Sequence, residues 1–145
     1  MKMDDNIRVA IERKLKQTID GIEETLHQMV KREELGIEDI RKALLGLKPG
    51  FSLLSQRWVL EILYVLLFMG PMRFNEIKRL LEISSRSLSD KLKSLELLGY
   101  VERNVTLGPP IRSTYKLTRK GVEVSLLALP LIYYLSYGPI KEGSN

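Results

Sequence analysis

The sequence contains no cysteine and only one histidine among 145 residues. The first absence excludes disulfides, thiolate metal sites and cysteine nucleophiles. His27, standing alone, has no second ligand of its kind for a zinc site and no partner for proton transfer. Aromatic residues make up only 7% of the chain, so aliphatic side chains must supply most of the core. Long apolar runs are missing too. Trp58–Met69 and Val124–Tyr137 are interrupted by Glu61 and Pro130, and both fall short of the roughly 20 residues a membrane span needs. The N-terminus has no unbroken apolar stretch of the kind a secretory signal carries. Adjacent carboxylates do occur, at Asp4-Asp5 and Glu33-Glu34, but at helix ends, where they favour the helix dipole rather than acid–base work. These absences predict a soluble, cytoplasmic protein that is not an enzyme and has no metal or cofactor site.

What remains is 44% hydrophobic and 28% charged, enough apolar content for a real core. The formal charge is +5, and it is unevenly placed. Basic and acidic residues balance over residues 1–70, at 11 each, whereas residues 71–121 hold 11 Lys and Arg against 5 Asp and Glu. A polyphosphate is the natural partner of such a patch.

Apolar residues at Ile7, Ile11, Leu15, Ile19, Ile22, Leu26 and Met29 lay one stripe along a helix over residues 4–33. From Leu15 to Met29 the stripe keeps heptad steps, so this helix either packs on its own domain or pairs with a second subunit. A short helix over Ile37–Leu45, ended by Gly46, and a turn at Lys48-Pro49-Gly50 follow. The next helix, capped by Ser52 or Ser55, runs to Met69 with Trp58, Leu60, Ile62, Leu63, Leu66 and Leu67 inward. Gly70 suits a left-handed C′ residue, and Pro71 cannot continue the helix. Met72–Phe74 predicts a brief strand, and Asn75 an N-cap for a helix to Leu81 that buries Ile77, Leu80 and Leu81. After Glu82-Ile83, Ser84 caps a helix to Leu98 with Leu88, Leu92, Leu95 and Leu98 as its buried stripe and Ile83 stapled onto Leu88. Gly99 ends it. Tyr100–Val105 and Arg112–Leu117 predict a hairpin with a proline-stiffened tip. Thr118 then caps a last apolar helix that Pro130 kinks or breaks.

The order helix, turn, helix, two-stranded wing, helix makes DNA binding the leading expectation. The second helix of such a unit enters the major groove by its N-terminal end, where side chains must be short or able to bond base edges. Ser84, Ser85, Arg86 and Ser87 have that character. Arg86 can bond guanine bidentately, whereas Lys91 and Lys93, further along, reach phosphates. Arg112, beside Pro109-Pro110, suits a narrow minor groove. Arg103 and Lys116, on the wing strands, either touch the DNA backbone or form salt bridges, Arg103 with the adjacent Glu102.

Trp58, Gly70-Pro71, Arg73-Phe74-Asn75-Glu76-Ile77, Ile83-Ser84, Leu92-Lys93-Ser94-Leu95-Glu96-Leu97-Leu98-Gly99, Arg103, Pro109-Pro110 and Tyr115-Lys116-Leu117-Thr118-Arg119-Lys120-Gly121 occur in the order found in a known family. The chain resembles the HxlR-type winged helix-turn-helix transcriptional regulators, relatives of the MarR group. The resemblance implies a mainly α fold with a small β-wing and extra terminal helices. It also implies a homodimer, made by those helices, that reads a pseudo-palindrome in double-stranded DNA. Residues 51–121 would be the DNA-binding domain, with a dimerising extension over 1–50 and a dimerising segment over 122–145. Many members carry a cysteine just before the tryptophan helix, and this chain has none; its first 50 residues also exceed the usual segment. A pocket beside the terminal helices could hold a small apolar effector, which no residue identifies. The alternative is a winged-helix module for protein–protein assembly, whose mark would be an apolar or acidic recognition surface.

Overall fold

The computed structural model describes residues 5–32 and 36–138; Asp4, Glu33 and Glu34 lie outside them. The elements are α1 (Asp5–Lys31), α2 (Ile37–Leu54), α3 (Val59–Met69), β1 (Met72–Arg73), α4 (Phe74–Leu81), α5 (Ser85–Leu97), β2 (Val101–Thr106), β3 (Arg112–Leu117) and α6 (Arg119–Tyr137). They divide into two compact units. One takes the residues up to Leu47 and from Pro130 onward, and the other is Lys48–Leu129.

In the first unit, Leu15 and Glu12 are buried on α1. Arg8 holds Glu12 across one helical turn at 3.0 Å, and its guanidinium lies over the Tyr137 ring, 5.7 Å from the centroid. Tyr137 in turn packs on Tyr133. The heptad seam beyond Leu15 is open, with Ile19 at 44%, Ile22 at 57% and Leu26 at 48% exposure.

The second unit holds a contiguous core. Val59, Ile62, Leu63 and Leu66 of α3, Ile77 of α4, and Leu88, Leu92 and Leu95 of α5 meet Met72, Tyr100, Val101 and Tyr115 around the sheet, joined by Leu53 from the end of α2. The sheet is antiparallel in the order β1-β3-β2. Met72 lies opposite Tyr115, and Val101 opposite Leu117. The third strand, β1, is the Met72–Phe74 segment shortened to two residues.

Several local expectations give way. The stop at Gly46 and the turn at Lys48-Pro49-Gly50 do not form, and α2 runs through them to Leu54. Neither glycine takes a positive φ, so neither supplies a left-handed stop. Pro49 removes one helical donor at a cost of about 3 kcal/mol. The continuation, however, carries Leu53 into the core at 4% exposure, and burying a leucine returns roughly 1.5–3 kcal/mol. The break comes later, at Ser55–Trp58. Neither Ser52 nor Ser55 caps α3; its N-cap is Trp58, in the left-handed region at φ 74°, ψ −13°. That conformation is costly for a bulky residue, and it is held here because Trp58 packs against the core.

Gly70 ends α3 with the expected positive φ, 78°, but with ψ at −159° rather than in the left-handed helical region. Arg73, not Asn75, is the N-cap of α4, and it makes no side-chain cap bond. Leu80 is 54% exposed, because an eight-residue helix presents the core with little more than its Ile77–Leu81 row. Leu98 is also exposed, since it sits past the last turn of α5 at the C-cap and off the helical stripe. Finally, α6 is not broken at Pro130. A proline deletes one donor and leaves neighbouring i→i−4 bonds in place, so a long helix continues across it.

Candidate nucleic-acid interface

The helix that carries most of the candidate residues, α5, is fixed at both ends. At its start Ser84 is extended (φ −67°, ψ 151°), and its Oγ accepts the Ser87 amide at 3.1 Å, satisfying one of the orphan donors of the first turn. Ile83, just before the cap, and Leu88, four positions in, are both buried in the core. Glu82 makes the turn from α4 possible by taking a left-handed conformation, φ 53°. With Leu88, Leu92 and Leu95 turned inward, Ser84, Ser85 and Arg86 are left exposed and Ser87 half-buried. Arg86 makes no hydrogen bond or ion pair among the described residues. Lys91, whose Nζ donates to Gln56 Oε1 at 2.8 Å, and exposed Lys93 lie further along. At 1.5 Å per residue, Lys93 stands about 10 Å down the axis from Arg86.

At its end α5 closes in a Schellman arrangement. The Tyr100 amide donates to the Leu95 carbonyl at 2.9 Å and the Gly99 amide to Glu96 at 3.0 Å, with Gly99 at φ 79°. Lys120 reaches over from α6 and donates to the Leu98 carbonyl at 2.9 Å, its ammonium 4.6 Å above the Tyr100 ring. That places a cation at the negative end of the helix dipole. The Tyr-x-Leu-Thr-x-x-Gly motif completes the joint. Thr118 donates its hydroxyl to the Gly99 carbonyl and its amide to the Tyr100 carbonyl at 3.1 Å, while its Oγ1 accepts the Gly121 amide at 3.1 Å, capping α6 as expected. One threonine thus ties together the end of α5, the start of β2 and the start of α6. Burial pushes the phenol of Tyr115, from the same motif, above its usual range.

On the wing, the structure separates two neighbours that the sequence paired. Adjacent residues of a strand point to opposite faces, so Glu102 faces its cross-strand partner Lys116, at 3.8 Å, and not Arg103. Arg103 instead donates from Nε and Nη2 to Ser113 Oγ at 3.2 and 2.9 Å, the diagonal neighbour on its own face. Past Val101 all of β2 is exposed, and so is Arg112 at the start of β3.

Arg112 also meets side chains from a distant stretch. Pairing of β1 with β3 puts Arg73 opposite Thr114, two residues from Arg112. Together with Arg79 of α4 they line a cleft of about 540 Å³ that also includes Asn75, Glu76 and Ser113. Neither Arg73 nor Arg79 is marked by the sequence as a site residue: Arg73 belongs to the Arg-Phe-x-Glu motif, and nothing in the spacing reveals that a two-residue strand carries it to the wing.

A family model described as HxlR-like helix-turn-helix matches residues 53–136. YvaP, an HTH-type transcriptional regulator of Bacillus subtilis (strain 168), is 49% identical over 75 residues, which are 51% of this chain and 68% of YvaP. YodB, an HTH-type transcriptional regulator of the same organism, is 42% identical over 76 residues, 52% of this chain and 67% of YodB. Its reduced form, a solved structure, shares the fold at TM-score 0.57 and 35% identity, over 63% of this chain and 89% of that one; diamide-treated and quinone-bound forms of YodB are solved as well. A solved MarR-family regulator from Enterococcus faecalis V583 matches at TM-score 0.56 and 29% identity, over 64% of this chain and 84% of its own.

Proposed function

The chain belongs to the HxlR-like helix-turn-helix family, and on that premise we propose that it is a DNA-binding transcription regulator that reads a pseudo-palindromic site as a homodimer. In this reading the N-terminal turn of α5 enters the major groove and the wing meets the minor groove. The observation that carries it is Arg86. It stands exposed one residue into α5, flanked by short serines and uncommitted to any partner among the described residues, as a guanidinium poised for guanine N7 and O6 would be. Ser84, Ser85 and Ser87 complete the base-facing turn. Lys91 and Lys93 hold phosphates, as do Arg103 and Lys116 from the wing, and Arg112 enters the minor groove. The protein acts in the cytoplasm, with the chromosome, and performs no catalysis.

The open seam of α1 supports dimerisation through the N-terminal extension, because Ile19, Ile22 and Leu26 follow one another at heptad steps and stand about half exposed among the described residues. The apolar exposed residues of α6, Leu127, Leu131 and Leu135, add a second surface. Control by a disulfide is excluded in this sequence, which has no thiol for a reagent such as diamide to oxidise.

The test is a set of equilibrium titrations on an operator recovered from genomic fragments and on a random duplex. Arg86→Ala should lose about 1–3 kcal/mol on the operator and relax preference at one base pair per half-site, with little change on random DNA. Lys91→Ala should weaken both duplexes alike and lower the salt slope by about one. Equal weakening of both duplexes by Arg86→Ala would remove base reading from that end of α5.

A further inference from the structure

We propose that the cleft between α4 and the base of the wing grips the phosphodiester backbone of the same DNA, with Arg73 and Arg79 as the residues that hold it; this rests on the function proposed above. Three guanidinium groups, those of Arg73, Arg79 and Arg112, line one cleft whose single carboxylate is Glu76. Little else engages them. Arg73 reaches Glu76 only at 3.8 Å between half-exposed side chains, and such loose surface pairs are readily exchanged for a better partner. Arg79 spends its Nε on the Asn75 carbonyl at 3.4 Å, which leaves both terminal nitrogens open, and Arg112 has no hydrogen bond or ion pair among the described residues. Like charges gathered in one concavity repel, and an anionic strand that passes along it relieves that repulsion while accepting charge-assisted hydrogen bonds from Arg73 and Arg79.

The placement arises from the fold. The pairing of Arg73 with Thr114 in the sheet brings the start of α4 to the foot of β3, so the first helix of the helix-turn-helix and the wing present their cations to one channel. A B-form backbone is the ligand that spans both, since it runs continuously from the groove occupied by the second helix to the groove beside the wing. Arg112, on the wing side of the channel, keeps its minor-groove role. Arg73 and Arg79 carry no base information, and their work is registration and affinity.

The experiment compares the full chain with its Arg73→Ala, Arg79→Ala, Arg79→Lys and Glu76→Gln variants on operator and random duplexes across a salt series. Each alanine variant should weaken both duplexes equally and flatten log K against log salt by about 0.9, so that its deficit relative to the parent shrinks about threefold between 50 and 200 mM salt. Arg79→Lys should retain the slope, because an ammonium still meets a phosphate. Glu76→Gln should tighten both duplexes by removing the cleft's only negative charge. Unchanged slopes in both alanine variants, with the parent still binding DNA and Arg86→Ala still losing operator preference, would overturn the cleft and leave the proposed function standing. A parent chain that binds neither duplex would overturn both. A separate arm replaces chloride by inorganic phosphate at constant ionic strength. Saturable binding below a millimolar, lost in Arg79→Ala, would mark a small-anion pocket and overturn the assignment to DNA.

Discussion

Gly121 stands where a side chain of any size would collide with backbone. A Cβ there would fall well inside contact distance of the Tyr100 carbonyl oxygen, 3.0 Å from its carbon and 3.2 Å from Leu117 Cδ2. The obstacle is main chain held by Thr118, so it cannot turn aside as a flexible side chain could. Gly121→Ala should therefore destabilise by about 3 kcal/mol, the upper end of the usual cost of overpacking, and urea denaturation reads it directly. A loss under half a kilocalorie would mean that α6 slides at no expense. The motif that ends in this glycine was legible in the sequence; the close approach that demands it was not, because Tyr100 and Gly121 are brought together only by the turn of the wing. The same holds for Arg103, whose neighbour along the chain, Glu102, belongs to the other face of the strand.

Among the elements, α5 is the one whose boundaries local chemistry settles. A serine cap, an apolar residue on each side of it and a glycine at C′ all lie within the segment; the serine and the glycine make the bonds their types predict, and Ile83 and Leu88 are both buried in the core. Ser84→Ala should cost about 1 kcal/mol and Ser84→Gly only a few tenths, since glycine leaves the amides open to water. Thermal and urea unfolding of the two variants check this, and equal losses would mean that the serine acts through something other than the cap. In α2 the local signals point the other way. Gly46, Pro49 and Gly50 together say stop, yet the helix continues, and the burial of Leu53 in the core offsets much of what the proline costs.

For the whole molecule, the unresolved balance is between apolar surface and water. Ile22, Leu26, Leu127, Leu131 and Leu135 are 48–77% exposed in one chain, and large aliphatic side chains that recur along a helix mark an interaction surface where they join into one patch. A symmetric dimer would pair such faces with themselves. Light scattering at micromolar concentration should give the mass of a dimer for the full chain and a lighter species once residues 1–33 are removed. A full chain that scatters as a monomer would take away the basis for reading a palindrome.

By itself the sequence determined the helix-turn-helix, the wing and their order, because caps, apolar periods of 3.6 and 2, and turn residues act over a few positions of chain. It also determined where the positive charge gathers and that no thiol takes part. The tertiary structure decided what depends on strand pairing and on core burial. It set which wing cations are already engaged, by facing Lys116 to Glu102 and Arg103 to Ser113. It carried Arg73 and Arg79 to the foot of the wing. It also let α2 run through a proline, since the free energy of burying an apolar side chain is set by neighbours distant in the chain, which no local pattern of residues contains.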